Sequence, residues 1–258
     1  MDAGAAPAAG SPSAPRPGAR SLRDGDCLIL HDPALLAAPQ AAHFDPAHWR
    51  DAQRGEARGR GSAIVFRPPP PLAAGAGDWV LREYLRGGLP AKLLKRQYAW
   101  LGRERSRSWR EFRLLQALRS DGLPAPRPVA AAAFRGSLSY RGALLMQAVP
   151  GAQSLADRLA TGAFALREDW PGLREVLRRV FDAGYFHADL NARNLLRDAH
   201  GGWWVIDWDR GRAGVAPARC RSRLRRLERS LRKIAAAEGW APGPTSALLT
   251  ALDQELRA

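Results

Sequence analysis

One stretch in the C-terminal half of the chain carries the residue types best suited to chemistry. It reads His187-Ala188-Asp189-Leu190-Asn191-Ala192-Arg193-Asn194; after a turn at Asp198–Gly202, the apolar run Trp203-Trp204-Val205-Ile206 delivers Asp207, eighteen positions beyond Asp189. Transfer of a phosphoryl group to a hydroxyl asks for that set. One carboxylate must orient the acceptor and take its proton, while hard oxygens ligate a Mg²⁺ that bridges the phosphates. On this reading Asp189 is the catalytic residue, Asn194 and Asp207 are the metal ligands, and His187 braces the loop. Asp209 stays open between a third acidic ligand and a surface residue after the strand. With 5 His in the chain and Asn at positions 191 and 194 alone, an H-x-D-x4-N arises by chance in roughly one chain of this composition in 400.

The same spacing is that of the catalytic core of protein-kinase-like phosphotransferases, and it implies elements that must position it. Leu173, Val176, Leu177, Val180 and Phe181 form a helical stripe that ends at Gly184, a left-handed cap, and hands the chain to the loop. In the N-terminal half, Gly59-Arg60-Gly61-Ser62 is a glycine turn through which backbone N–H groups of Gly59 and Gly61 can approach ATP phosphates. It runs into the strand Ala63–Phe66, and a second strand from Gly77 to Leu85 pairs with the first as a hairpin. Arg82 on that second strand stands where kinases carry a phosphate-clamping lysine, with Lys92 and Lys95 as reserves. A helix over Trp109–Ser120, capped by Ser108, offers Glu111 as its acid. Ser108-Trp109-Arg110-Glu111 is also an S-x-x-E capping box, in which Glu111 would only reach back to the cap N–H. The ion pair with Arg82 is the favoured of the two. Leu144–Gly151 reads as the strand and hinge that meets adenine, with Gln147 at its centre.

Along the chain, residues 1–22 form an Ala/Pro/Gly tail expected to be disordered, and Pro33–Gln53 is expected to be helical with turns at Pro39 and Pro46. Residues 23–150 are strands with one helix and make an N-lobe for the nucleotide phosphates. Residues 151–258 are mainly helical and make a C-lobe for the catalytic loop, metal and acceptor. The fold class is therefore α+β, a bilobal protein-kinase-like fold with an antiparallel N-lobe sheet and a small C-lobe.

Composition fits a globular chain: 258 residues, 46% apolar, 25% charged. Collagen-like, coiled-coil and wholly disordered classes are excluded. Cys27 and Cys220 are far apart and have no metal-ligand spacing, which excludes a disulfide framework and a Cys-rich zinc site. No apolar stretch approaches the roughly 20 residues that span a bilayer. The net charge of +15 points to an anionic partner, although arginine-rich coding bias accounts for part of it. From Arg219 to Lys233 there are eight basic residues and one acid, with Leu224, Leu227, Leu231 and Ile234 on one stripe. That segment is either a helix for an anionic membrane surface or a C-lobe helix with solvated arginines. Some 51 residues follow Asp207, without an A-P-E signature. That is too little for peptide-docking helices, so a small-molecule or glycan hydroxyl is the expected acceptor.

Five stretches together, Val80–Gly88, Arg110–Leu115, Leu123–Val129, His187–Asn194 and Ile206–Gly211, resemble the bacterial 3-deoxy-D-manno-octulosonic acid (Kdo) kinases over roughly residues 55–235. The resemblance implies ATP- and Mg²⁺-dependent phosphorylation of the 4-hydroxyl of Kdo on a lipid A precursor, in lipopolysaccharide core assembly. It also implies a peripheral place on the cytoplasmic side of the inner membrane, with no specific nucleic acid and no obligate protein partner. Arg193, Arg210 and Arg212 are then candidates to meet the Kdo carboxylate. A kinase of a core heptose, an aminoglycoside or another small alcohol is the alternative, and a basic nucleic-acid-binding or inactive kinase-like protein the remaining one.

Overall fold

A computed structural model describes residues 18–56, 63–69, 77–84, 98–240 and 242–257. Its first half is one antiparallel sheet. The strands are β1 (Arg20–Asp24), β2 (Cys27–His31), β3 (Gln53–Glu56), β4 (Ala63–Phe66), β5 (Trp79–Glu83), β6 (Tyr98–Ala99), β7 (Pro128–Arg135) and β8 (Ser139–Gln147). Their order is β1-β2-β7-β8-β5-β4-β3, with β6 also on β8. The expected hairpin is present as β4 against β5, Ala63 opposite Arg82 and Phe66 opposite Trp79. β1 opens at Arg20, inside the segment that composition assigns to the tail, because its backbone pairs with β2 from Arg20–His31 to Asp24–Cys27.

The sheet has a layer on each face, and the alternation of side chains along β2 and β7 decides which. Leu30, Ala131 and Ala133 face helix α1 (Arg107–Ser120) and its Trp109, Phe112 and Leu115. Ile29, Ala130 and Ala132 face the opposite layer, where Leu36, Phe44 and Trp49 cover Phe66, Trp79 and Leu81. The alanines of β7 let both layers come close. Residues expected as an α-helix over Pro33–Gln53 instead form 3-10 turns at Ala41–Phe44 and Pro46–Ala52. Proline at 39 and 46 denies the segment a continuous 3.6-residue stripe, and single aromatics do the packing, with Trp49 stacked on Phe66 at 4.2 Å.

The second half is mainly helical: α2 (Leu155–Ala160), α3 (Leu166–Asp182), α4 (Pro217–Arg221), α5 (Leu224–Glu238) and α6 (Pro242–Arg257). A small sheet, β11-β10-β9, joins β9 (Gln153–Ser154), β10 (Leu195–Arg197) and β11 (Trp203–Val205). Ser154 caps α2 by accepting from Asp157 N–H, and α3 ends before Gly184 at φ 75° as its stripe predicts. This is the α+β, kinase-like arrangement of an antiparallel sheet with one helix on it, followed by a helical half.

Candidate active site

The hairpin β10–β11 closes the sequence gap between the two metal-ligand candidates. Its turn is held by the Asp198 carboxylate, which accepts from His200 N–H and Gly202 N–H at 2.8 Å each. Leu195 then lies opposite Val205, so Asn194 and Asp207 emerge from the same end. Ile206 N–H donates to the Asn194 carbonyl at 3.0 Å, and His187 Nε2 donates to the Ile206 carbonyl at 2.9 Å. A carbonyl can only accept, which puts the imidazole proton on Nε2. His187 is fully buried, and burial holds its pKa below the usual value. It is a neutral strut, as the sequence reading has it.

Asp189 sits one turn of the loop away, and Asn194 Nδ2 donates to its backbone carbonyl at 2.9 Å. That bond commits the amide nitrogen and leaves Asn194 Oδ1 as an acceptor. Asp207 adopts φ 61°, a left-handed conformation that an aspartate tolerates better than most residues and that tends to sit at functional sites. Its Oδ1 meets Arg82 Nη2 at 2.8 Å. The donors left over are one amide oxygen and one carboxylate oxygen. Among the described residues no cluster of three or more His, Cys, Asp or Glu could hold a metal. Two hard oxygens suit Mg²⁺, which keeps waters and takes its remaining ligands from substrate phosphates.

Arg82 joins the two halves. Its Nη1 lies 3.1 Å from Glu111 Oε1 while Nη2 holds Asp207. The Tyr84 hydroxyl donates to Glu111 Oε2 at 2.5 Å. Burial pushes the Glu111 carboxyl up, and the Arg82 charge pulls it back in part. The choice between ion pair and capping box is therefore decided. α1 starts at Arg107 with Ser106 as N-cap residue, and Ser108 is inside the helix with its Oγ donating to the Ala132 carbonyl. Ser108 caps nothing, and Glu111 faces Arg82.

Gln147 ends β8, where its N–H donates to the Arg127 carbonyl and the next N–H, of Ala148, to Asp78. Gly59, Gly61, Lys92 and Lys95 lie outside the described residues. Asp209 is not a free surface residue: its side chain is 12% exposed. It is bound by Arg107 through Nε at 2.8 Å and through Nη2, and the same guanidinium donates to the Tyr98 hydroxyl. Arg193 pairs with Glu238.

Sequence reasoning missed Arg107, Arg223 and Arg226. From α4–α5, Arg223 donates to the His187 carbonyl at 3.1 Å and the Ala188 carbonyl at 2.7 Å. Arg226 binds Asp189 Oδ1 through Nε at 2.8 Å and through Nη2. Burial works against the Asp189 charge, but the Arg226 hydrogen bonds and charge outweigh it and hold the carboxyl below the usual aspartate value. Arg223 and Arg226 are two of the eight basic residues between Arg219 and Lys233, and nothing in their type or spacing sets them apart from the exposed ones.

A family profile described as lipopolysaccharide kinase (Kdo/WaaP) family matches residues 51–249. A protein of Stenotrophomonas maltophilia strain K279a, named 3-deoxy-D-manno-octulosonic acid kinase, is 45% identical over 210 residues, 80% of each chain. One of the same name from Xanthomonas euvesicatoria pv. vesicatoria strain 85-10 is 41% identical over 208 residues, again 80% of each. The profile spans more than half of the chain, including both the strand that carries Arg82 and the loop that carries Asp189, and so this chain belongs to the lipopolysaccharide kinase (Kdo/WaaP) family of phosphotransferases.

Proposed function

We propose that the protein transfers the γ-phosphoryl group of ATP to the 4-hydroxyl of the Kdo residue on a lipid A precursor. The observation that carries this reading is the chain Glu111–Arg82–Asp207, which ties helix, strand and hairpin into one site beside Asp189, in a protein whose relatives from Stenotrophomonas and Xanthomonas are named as kinases of Kdo. Residues 23–150 hold the nucleotide and residues 151–258 the catalytic loop and acceptor. Asp189 uses its second oxygen to orient the acceptor hydroxyl and to receive its proton as the new P–O bond forms and the bond from the γ-phosphorus to the β–γ bridging oxygen breaks, releasing ADP. Arg82 offers a fixed positive charge to the phosphates when it is released from Asp207. Asn194 and Asp207 would hold Mg²⁺, which when bound would supply charge neutralisation on the phosphoryl oxygens. The Val149 N–H has no partner among the described residues and serves adenine next to Gln147.

The acceptor is a glycolipid, and no helix among the described residues is long and apolar enough to cross a membrane. Peripheral attachment at the inner face of the inner membrane fits α5. Its Arg225, Arg229 and Lys233 are exposed along one stripe, while Leu224, Leu227 and Leu231 are buried.

The test is transfer from labelled ATP with Mg²⁺ to Kdo-lipid A precursor, scored by product mass, for the wild type and Asp189→Ala. Transfer by the wild type that the variant loses supports the reading. No transfer to the Kdo lipid by a folded, ATP-binding protein overturns the acceptor and turns the search to other sugars.

A further inference from the structure

Arg226 is oddly placed for a residue of a helix surface. It lies against the carboxylate that receives the acceptor's proton, where a positive charge weakens a base. It is not needed to hold the loop in place, because Arg223, one turn earlier on the chain, already anchors the carbonyls of His187 and Ala188. Nor does the loop itself bring a cation to Asp189: Arg193, its basic residue, turns away to Glu238. Both bonds from Arg226 go to Oδ1 of Asp189, so Oδ2 stays available to a hydroxyl. Nη1 of Arg226 has no partner among the described residues. The two side chains remain 40% and 46% exposed, open to an incoming molecule.

A neutral alcohol would gain nothing from that free N–H group. An acid would gain a charge-assisted hydrogen bond. In a 2-keto-3-deoxy sugar acid the carboxylate sits on ring carbon 2 and the accepting hydroxyl on ring carbon 4, a gap that one planar guanidinium can bridge when its other edge holds the base. We infer that Arg226 reads the carboxylate of the acceptor and so selects the hydroxyl that reaches Asp189, which makes it a specificity-determining residue contributed by α5. The inference rests on the acceptor reading given under Proposed function. It moves the carboxylate contact from Arg193, Arg210 and Arg212 to a residue in contact with the reacting group.

The experiment compares wild type, Arg226→Gln and Arg226→Lys on two acceptors, Kdo-lipid A precursor and the same molecule with its Kdo carboxyl converted to the methyl ester. Acceptor KM, ATP KM and kcat are read for each, and thermal unfolding reports the fold. Arg226→Gln is expected to raise the acceptor KM for the acid by roughly 10- to 100-fold, the worth of one charge-assisted bond. It should leave the ATP KM within about twofold and bring acid and ester to the same KM. Equal losses on acid and ester, or a fall in kcat with unchanged acceptor KM, overturn the inference and reduce Arg226 to a positioning residue for Asp189. If Arg226→Gln does not fold, Arg226→Lys carries the test: a KM raised for the acid alone supports the inference, and an equal change on both acceptors overturns it. Wild-type enzyme inactive on the acid itself refutes the acceptor reading, a result distinct from any difference between variants.

Discussion

Glutamine at position 111 separates two accounts of one residue. Under a capping box, Gln reaches back to the cap N–H as well as Glu does, so Glu111→Gln would leave stability unchanged. In the structure Glu111 is 2% exposed, receives Arg82 at 3.1 Å and the Tyr84 hydroxyl at 2.5 Å, and caps nothing. Removing one partner of a buried pair costs about 3–5 kcal/mol. Two features reduce that figure here: Arg82 is 18% exposed, and it keeps Asp207 at 2.8 Å when Glu111 is neutralised. Glu111→Gln should therefore cost about 1–2 kcal/mol. Arg82→Met is worse, because it strands a buried carboxylate with Tyr84 as its remaining hydrogen-bond donor, and should cost about 3 kcal/mol. For a chain of this size each kcal/mol lowers Tm by about 2–4 °C, giving falls of roughly 2–8 °C and 6–12 °C. A double-mutant cycle read by chemical unfolding should return a coupling of about 1–2 kcal/mol. Glu111→Gln within about 0.5 kcal/mol of wild type, additive with Arg82→Met, would refute the pairing.

Two further outcomes follow from the geometry. A Cβ at Gly211 would lie 2.6 Å from Leu114 Cδ2 and 2.8 Å from the Trp208 carbonyl, an oxygen that cannot retreat because it accepts the Gly211 N–H. Gly211→Ala should lower stability by about 2–3 kcal/mol and cut transfer by disturbing Asp207 and Asp209; an unchanged Tm would count against the close approach. Arg225, Arg229 and Lys233 have no ion-pair partner among the described residues. At about 1 kcal/mol each near an anionic leaflet, replacing all three by Gln should weaken binding to phosphatidylglycerol vesicles roughly 10²-fold, with the wild-type difference fading at high salt. Equal co-sedimentation of the two proteins at low salt would exclude α5 as the docking face.

The site was legible where its information is linear. Asp189, Asn194 and Asp207 are fixed by a loop and a hairpin, both local, so their spacing in sequence carries their proximity in space. Arg82 and Glu111 were legible as a charge pair on a strand and a helix, but the helix start was misjudged by two residues, and that alone kept the capping box alive. Leu36, Phe44 and Trp49 were not legible as a layer, because residues in 3-10 turns follow neither the 3.6-residue nor the two-residue period. Arg107, Arg223 and Arg226 were hidden for a different reason. In a chain so rich in arginine, residue type says nothing about which guanidiniums turn inward, and the decision is made by distant acceptors that sequence spacing does not encode.

Those inward arginines give the net charge of +15 a meaning that composition could not. Arg82 links β5 to α1 and Asp207, Arg107 links α1 to Asp209, and Arg223 with Arg226 links α5 to the catalytic loop. Each pairing crosses between elements distant in sequence and ends on a group of the site. A displacement of α1 would therefore pull on both Asp207 and Asp209, and a displacement of α5 on Asp189. The basic stripe of Arg225, Arg229 and Lys233 is on the same helix as Arg226. Arg226 stands three residues before Arg229 and seven before Lys233, so it borders that stripe on the helix surface. Under the proposed function, an anionic surface that engages the stripe acts directly beside the residue that holds Asp189, so one helix face can both seat the enzyme at its glycolipid and keep Asp189 in position.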